Sequence, residues 1–340
     1  MRLSTVLLIG ASLLTLGCHS KQQKAIEAIE KLGGFCKTDP NRPDSPVVYV
    51  VLYHRQANDR AMEHLEAFPE LEVLDLKSAH VTDKGLARLE KLSHLQGLSL
   101  EDTHIGDEGL AHLQGLTQLQ RMTLTGTKIT DDGLKHLEGL TEMRQLDLSR
   151  TQVTDAGLMH LSGLTHLASL GLEDTQVGDG RLDHLQSLPR LMTLGLSGTH
   201  VTDAGLRHLK GLMKLTDLHL NRTGITDAGL AHLQELKGLE YLSLQNTAVQ
   251  GSGIASLKAL PKLTQVDLSH SSVNDGGLAQ FTGWASLEWL RLNRTAITDV
   301  GLDHLDPMPH LERLELLQTK VSAAAVGKYR RSHPRMIVSR

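Results

Sequence analysis

The sequence predicts an α/β solenoid in which short parallel strands form the concave face and short helices form the convex face. Two observations predict this fold class. A leucine pattern, seen as TDAGLRHLKGL at 202–212 and TDAGLAHLQEL at 226–236, recurs every 24 residues from Val47 without an insertion or deletion. Hydrophobic residues make up 40% of the 340 residues but aromatic residues only 3%, so the core must be built mainly from leucine.

The first eighteen residues, MRLSTVLLIGASLLTLGC, are typical of an export signal. After Arg2 comes an uncharged stretch that is shorter than the roughly 20 apolar residues of a membrane span. It resembles a bacterial lipoprotein signal, in which cleavage precedes a lipidated cysteine, although Thr15 stands where leucine is usual. We therefore expect residues 1–17 to be removed, Cys18 to be lipidated, and the protein to be exported and anchored in the cell envelope. An ordinary signal peptide or membrane anchor is one alternative, and a cytosolic start without export is the other.

Residues 18–46 are predicted to comprise the lipidated start, a capping helix and a linker. The stretch KQQKAIEAIEKLG at 21–33 places apolar residues at helical spacing and ends at Gly33–Gly34, which indicates a short amphipathic helix. The stretch KTDPNRPDSP at 37–46 is polar and rich in proline, as expected of a linker.

Residues 47–334 form twelve consecutive units with the pattern LxxLxLxxTxITDxGLxHLxxLxx. The pattern resembles the leucine-rich repeat family. Its ITDxGL portion is similar to the subclass found in F-box substrate receptors, but no F-box-like module precedes the repeats, so a ubiquitin-ligase role is not implied. The resemblance implies a leucine-rich repeat solenoid, a curved horseshoe, with residues 335–340 left as a C-terminal tail.

Several positions of the repeat unit have a predicted structural role. The LxL alternation predicts a strand with leucines on one face, and the threonine at position 9 can satisfy a backbone group where the chain turns. The Thr–Asp pair at positions 12 and 13 is predicted to cap a short helix. Position 15 is glycine in nine of the twelve units, which favours close approach of the adjacent layer.

A histidine recurs at position 18 of eight units. These residues are His64, His112, His136, His160, His184, His208, His232 and His304. A metal ion needs donors within about 2.1 Å, whereas packed helices are about 8–10 Å apart, and no carboxylate or cysteine recurs beside the ring. The eight settings are nearly alike, whereas a catalytic histidine needs one particular partner. We interpret the histidines as structural and predict no catalytic residue, metal site or cofactor.

Charge and cysteine content exclude some partners. The formal net charge of −4 gives no electrostatic reason to expect nucleic acid as a partner. Two cysteines, Cys18 and Cys36, are too few for a disulfide framework or a cysteine-rich zinc site. The basic run KYRRSHPR at 328–335 is interpreted as a solvated terminal cap.

The candidate binding site lies on the outward strand positions 3, 5, 7 and 8. From residue 215 onward these positions change from small or acidic residues to aromatic and basic ones. The candidate binding residues are His219, Arg222, Tyr241, Trp289, Arg291, Arg294 and Arg313. Tryptophan, tyrosine and arginine are enriched at interface hot spots, so we expect a protein ligand here. Chance placement of two aromatic residues on twelve strands is the alternative.

We therefore predict a non-enzymatic, exported leucine-rich repeat lipoprotein that acts as a protein-binding scaffold through its concave face. Two alternatives remain: a regulatory or adaptor subunit that presents a partner enzyme, and a binder of a cell-wall polymer. The membrane enters as a partner only through the lipid anchor at Cys18, and the pattern predicts no particular oligomeric state.

Overall fold

The protein is a solenoid built around one sheet, as seen in a computed structural model that describes residues 20–53, 57–306 and 308–340. The predicted α/β solenoid is therefore confirmed. The predicted signal at residues 1–17 and the lipidation site at Cys18 lie outside the described residues.

Fourteen strands, in chain order, form the sheet of the described residues. They are β1 Phe35–Thr38, β2 Val47–Val51, β3 Val73–Asp75, β4 Gly97–Ser99, β5 Arg121–Thr123, β6 Gln145–Asp147, β7 Ser169–Gly171, β8 Thr193–Gly195, β9 Asp217–His219, β10 Tyr241–Ser243, β11 Gln265–Asp267, β12 Trp289–Arg291, β13 Arg313–Glu315 and β14 Ile337–Ser339. Strand β1 runs antiparallel to β2, and each later pair is parallel. Neighbours are in register one unit apart, as Leu218 opposite Leu242 shows, so the 24-residue period sets the pairing.

Short helical segments form the other face. The longer helices lie at the two ends, Lys21–Lys31 and Ala323–Ser332. Between them, α-helical turns occupy Asp83–Leu86, Asp107–Ala111, Asp131–Leu134, Asp203–Leu206, Asp227–Leu230, Asp275–Leu278 and Asp299–Leu302. The 3-10 segments are Ala61–Ala67, Ala87–Leu89, Lys135–Leu137, Asp155–Leu161, Leu182–Ser187, Arg207–Leu209, Ala231–Leu233, Ser252–Ala259, Ala279–Phe281 and Asp303–Leu305.

The core is a set of leucine columns between the sheet and the helical segments. Leu218 and Leu220 of one strand are fully buried, as are their counterparts in neighbouring units. Phe68 and Trp284 replace leucine at position 22 and are also fully buried. Each unit covers the leucines of the next, which is why the array needs many units to bury its core.

The position-9 threonines make the predicted turn contact. The hydroxyl of Thr127 donates to the Leu124 carbonyl at 2.6 Å, and the same bond recurs in other units. Because these hydroxyls are buried, the bond satisfies both the side chain and a backbone carbonyl where the strand ends.

The predicted Thr–Asp cap is divided between two units. The Thr154 hydroxyl oxygen caps its own helical segment by accepting from the Ala156 N–H at 3.1 Å. Asp131 instead reaches the next unit, where its carboxylate accepts from the Thr154 N–H at 2.8 Å and from the Thr154 hydroxyl at 2.7 Å. The aspartate column therefore joins successive units, a role that the repeat pattern did not predict.

Glycine at position 15 lies against that aspartate column. A Cβ atom on Gly133 would lie 2.3 Å from the Asp107 Oδ1 of the preceding unit, and Gly109 and Gly229 show the same closeness. The predicted close approach is confirmed, and the group that approaches is a carboxylate.

Elements outside the regular repeats cover the two ends of the solenoid. The N-terminal helix buries Ala25 and Ile29, and β1 lies in a stretch for which the sequence predicts no strand. At the other end β14 pairs with β13, so the sheet extends into residues 335–340, which the sequence assigns to a tail.

Candidate binding surface

The concave face carries the side chains at positions 3 and 5 of each strand, on either side of a buried leucine. Strand β12 places Trp289 and Arg291 there, and β13 places Arg313 and Glu315 opposite them. These four side chains form a square, with Trp289 and Glu315 at the ends of one diagonal. The backbone register alone therefore brings three of the candidate residues, Trp289, Arg291 and Arg313, together.

The indole of Trp289 contacts two guanidinium groups. Its Nε1 donates to Glu315 Oε1 at 3.1 Å, which directs the ring along the diagonal. The guanidinium carbon of Arg291 lies 3.7 Å from the ring centroid, and that of Arg313 lies 4.6 Å away. Arg291 and Arg313 occupy the other diagonal of the square, and both guanidinium groups lie over the ring. Cation–π attraction stabilises such stacks by about 0.5–1 kcal/mol at exposed sites and by more when desolvated.

Arg291 is also tied into the sheet by two carboxylates. Its Nη1 lies 3.2 Å from Asp267 Oδ2 and its Nε lies 3.4 Å from Glu315 Oε1. Asp267 is only 2% exposed and also accepts from Ser269 N and Gln245 Nε2. Removing Arg291 would leave the negative charge of the buried Asp267 without its nearby cation, which destabilises the folded state. Arg291 therefore has a structural role although its side chain is partly exposed.

A row of amide side chains at position 7 supports this cluster, and the sequence reading did not identify it. Asn221 Oδ1 accepts from the Gln245 N–H at 2.8 Å, and Gln245 Nε2 donates to Asp267 at 2.8 Å. Asn293 donates to Glu315 at 3.0 Å and accepts from the Leu317 N–H at 2.8 Å. The available signal was the recurrence of asparagine and glutamine at position 7 after residue 215.

Tyr241 and His219 form a second pair, separate from Trp289. Their ring centroids are 5.2 Å apart. The strand that carries Gln265 lies between Tyr241 and Trp289 in the sheet, so the structure does not bring the two aromatic residues into contact.

Arg222 and Arg294 lie at position 8, where the chain leaves the strand with a positive φ of 56° in both residues. Arg222 Nη2 lies 2.9 Å from Asp174 Oδ1, two units earlier, and passes over Gly198. Arg294 donates to Gln318. Both are therefore placed along one margin of the concave face and not within the group formed by Trp289, Arg291 and Arg313.

The N-terminal half of the concave face is different in character. It forms a groove of about 490 Å³ whose lining includes Gly97, Ser169, Gly171 and the carboxylates of Asp147 and Glu173. Glycine or serine at position 3 or 5 of several strands leaves this half open, while aromatic and basic residues occupy these positions in the C-terminal half.

The recurring histidines lie on the convex side beside the preceding unit. His112 Nδ1 lies 2.6 Å from Glu90 Oε1, and His160 Nδ1 lies 2.6 Å from Glu138 Oε1. The expectation that no carboxylate lies beside these rings is therefore wrong for two units, because position 20 of one unit meets position 18 of the next. Within the described ranges, no three His, Cys, Asp or Glu side chains form a group that could hold a metal ion. In the same ranges no helix has the length and apolar character needed to cross a bilayer.

Comparisons with known proteins agree with this architecture. The family described as Leucine Rich repeat matches residues 70–89, 91–113, 140–162 and 211–233. No curated protein sequence matches the chain.

Solved structures with the same fold come from several sources. An internalin (inlF) from Listeria monocytogenes is similar with 22% identity and a TM-score of 0.65, covering 93% of this chain and 94% of the internalin. A leucine-rich repeat protein of Leptospira interrogans is similar with 18% identity and a TM-score of 0.61, covering 82% of this chain and 74% of that one. The PEPR1–AtPEP1 structure is similar with 16% identity and a TM-score of 0.51, covering 83% of this chain and 43% of that one. With its 24-residue period, parallel sheet and matched repeats, this chain is a leucine-rich repeat protein.

Proposed function

We propose that this protein is a non-enzymatic scaffold that binds a protein ligand on the C-terminal half of its concave face. The same proposal places it in the cell envelope, exported and held by a lipid on Cys18. Repeat solenoids present extended concave surfaces suited to such binding. The observation that carries the proposal is the Trp289 cluster, defined here as Trp289, Arg291 and Arg313.

The Trp289 cluster has the properties of an interface anchor. It combines the residue types enriched at hot spots, and its side chains are held before any ligand arrives, which reduces the entropy cost of binding. Exposed apolar side chains, Leu317 and Ile337, lie on the neighbouring strand and turn. Arg313 makes no ion pair within the described residues, so its guanidinium is free to meet a carboxylate of the ligand.

The same geometry argues for a protein ligand over a wall polymer. A sugar ring would need an open aromatic face to stack on, and two guanidinium groups already lie over the Trp289 ring. Arg313 is exposed, and Trp289 and Arg291 are partly exposed, so arginine donors are accessible in the cluster. These suit peptide carbonyl and carboxylate groups.

The experiment compares capture of partners from membrane extract by the wild-type chain and by Trp289→Ala with Arg313→Ala. Arg291 is kept because it compensates the buried Asp267. We expect the variant to keep its melting temperature and to lose about 2 kcal/mol or more of binding free energy, measured by calorimetry with the captured partner.

The matched control is Arg121→Ala with Gln145→Ala, which changes the same strand position in the N-terminal half. It should bind the partner as the wild type does. If the variant Trp289→Ala with Arg313→Ala bound the partner with the affinity of the wild type, the assignment of the binding site to this cluster would be wrong. Capture of a single enzyme would favour the adaptor role over a structural one.

Lipidation is tested separately. We expect labelled fatty acid to be incorporated into the wild-type chain and not into Cys18→Ala, with the variant released from the membrane fraction. Maturation unaffected by an inhibitor of lipoprotein signal processing would contradict the anchor.

A further inference from the structure

One lateral edge of the solenoid is formed where the chain passes from a helical segment back to a strand. Positions 23, 24 and 2 of successive units stack along it: the Thr216 N–H donates to the Met192 carbonyl at 2.8 Å, one unit away. In a curved solenoid the sheet and the helices occupy the two curved faces, so the lateral edges are its flat sides. A flat surface can therefore touch several units at once only along such an edge.

Four exposed cations lie on this edge in the middle of the molecule. They are Arg190, Lys214, Lys237 and Lys262, called the basic edge below. None of the four forms an ion pair with a described carboxylate, whereas other cations do: Lys77 lies 2.8 Å from Glu101, and Arg88 lies 2.8 Å from Glu66. Only Glu235 and Glu240 add negative charge to this stretch of the edge, so it carries a net positive charge.

Two exposed methionines lie among these cations. Met192 is 47% exposed and Met213 is 59% exposed. Met213 directly precedes Lys214, and its carbonyl would lie 3.1 Å from a Cβ on Gly238 of the next unit, so the units pack closely here. Apolar side chains flanked by lysine and arginine are typical of surfaces that rest in the headgroup region of a membrane.

The first described residues lie at the same edge. Ser20 and Lys21 line a cavity of about 590 Å³ together with Phe68, Pro69 and Glu70. The last three residues occupy positions 22 to 24 of the first unit, where the basic edge begins in later units. Cys18 precedes Ser20 by two residues, a span of at most about 7 Å.

We propose that the basic edge lies on the anionic phospholipid headgroups of the membrane that holds the Cys18 lipid. This rests on the lipid anchor of the proposed function. The cations are spread over four units, about 15 Å by strand spacing, and do not converge on one pocket, so they suit a plane of charges and not a single small anion. The lipid anchor and the four cations then contact the same membrane surface. The concave face, which is perpendicular to this edge, is left facing sideways along the membrane and accessible to a ligand.

The test uses the chain from residue 18 onward with Cys18→Ser, which contains every described element and no lipid. Binding is measured by co-sedimentation with vesicles of phosphatidylcholine alone and of phosphatidylcholine mixed equally with phosphatidylglycerol. We expect binding to the anionic vesicles only, weakening as salt is added. The variant Lys214→Gln, Lys237→Gln, Lys262→Gln should bind about a hundredfold more weakly, since each lysine near such a surface contributes about fivefold.

The matched control removes three exposed lysines from other surfaces, Lys84→Gln, Lys128→Gln and Lys320→Gln, and should retain binding. A third variant, Met192→Ser with Met213→Ser, should lose the vesicle binding that remains at high salt, because that part depends on apolar contact and not on charge. Absence of binding to anionic vesicles, equal loss in the two lysine variants, or a dimer that only the basic-edge variant disrupts would overturn the proposal. Because the tested chain lacks the lipid and the concave-face partner, these outcomes are independent of whether Cys18 is processed or a protein ligand is found.

Discussion

At the scale of single residues, the contact between an aspartate and a glycine sets how closely successive units stack. The Asp107 carboxylate accepts from the Thr130 N–H and hydroxyl at 2.8 and 2.6 Å, and it fills the space above Gly133. Only a residue without a Cβ leaves room for that carboxylate. The aspartate and the glycine of the DxG pattern therefore recur together because the aspartate of one unit packs against the glycine of the next.

Substitution of that glycine should reveal the constraint. We expect Gly133→Ala to destabilise the protein by about 2 kcal/mol, because the new Cβ would overlap the Asp107 carboxylate and force it to move. Gly115→Ala is the control: its Cβ would meet nothing within 4 Å, so its free energy of unfolding should be unchanged or slightly higher.

Urea unfolding measures both variants, and the double variant Asp107→Ala with Gly133→Ala should lose less than the sum of the single changes. Equal stability of Gly133→Ala and Gly115→Ala would show that the carboxylate moves without cost.

The last aspartate of the column predicts a dependence on pH. Hydrogen bonds from the backbone N–H and hydroxyl of Ser322 lower the pKa of Asp299 below its ordinary value of 3.8. A carboxyl whose pKa is lower in the folded state stabilises that state fully above the unfolded pKa, and the contribution is lost as pH falls through the folded value. The contact at the start of the C-terminal helix should therefore weaken below about pH 4.

Amide exchange in Ala323–Ser332 measures this effect. Protection should fall between pH 5 and pH 3, values on either side of the ordinary pKa of about 4, and Ser322→Ala should show a smaller fall because one of the two donors is gone. An identical pH dependence in both proteins would contradict the assignment.

At the scale of elements, the two ends of the array are the places where the repeat cannot cover itself. The N-terminal helix lays Ala25 and Ile29 over the first unit, and β1 covers the open edge of β2. At the C-terminus, the last helix and β14 bury Val326, Tyr329 and Val338. Both caps contain polar outer faces, as the end of a repeat array requires.

Removal of the N-terminal cap should therefore expose a strand edge and a leucine layer. We expect deletion of residues 21–46 to cause aggregation or a large fall in melting temperature, since β2 would lose β1 and become an open edge, and the apolar layer would lose its cover. A truncated chain that stayed monomeric and melted unchanged would refute the capping role.

A milder pair of variants checks the same element without truncation. Ile29→Ala should cost about 3 kcal/mol because Ile29 is fully buried, while Lys24→Ala on the exposed face of the same helix should cost little.

At the scale of the whole molecule, each unit touches only its neighbours, so the array should tolerate loss of one complete unit. We expect deletion of residues 191–214 to give a folded, monomeric protein with a shorter sheet, because Asp179 could then bond Thr226 as it now bonds Thr202. The slope of urea unfolding should fall with the area lost.

Deletion of residues 203–214 is the control, since it removes only the second half of the same unit, with the buried Leu206, Leu209 and Leu212. The neighbouring units would lose part of the layer that covers them, so this variant should unfold at a lower urea concentration than the whole-unit deletion. Equal stability of the two deletions would mean that the stacking does not require complete units.

The 24-residue period and the leucine pattern were enough to predict the solenoid, the strand register and the leucine core. They were enough because a fixed period leaves only one way to stack identical faces, and because leucine at LxL spacing can bury only one side of a strand. They also marked Trp289, Arg291 and Arg313 as exposed strand positions, since their places in the unit face away from the core.

Which of these side chains contact one another depends on how the units stack in the folded protein. Contacts between side chains one or two units apart depend on strand register and side-chain length together, which a pattern within one unit does not contain. That is why the Trp289 cluster, the link from Asp131 to Thr154 and the His112–Glu90 pair became visible only after folding. It is also why Tyr241, two strands from Trp289, pairs with His219 instead. The flat edge that collects Arg190, Lys214, Lys237 and Lys262 has the same origin, because residues 24 apart in the chain become neighbours only when units stack.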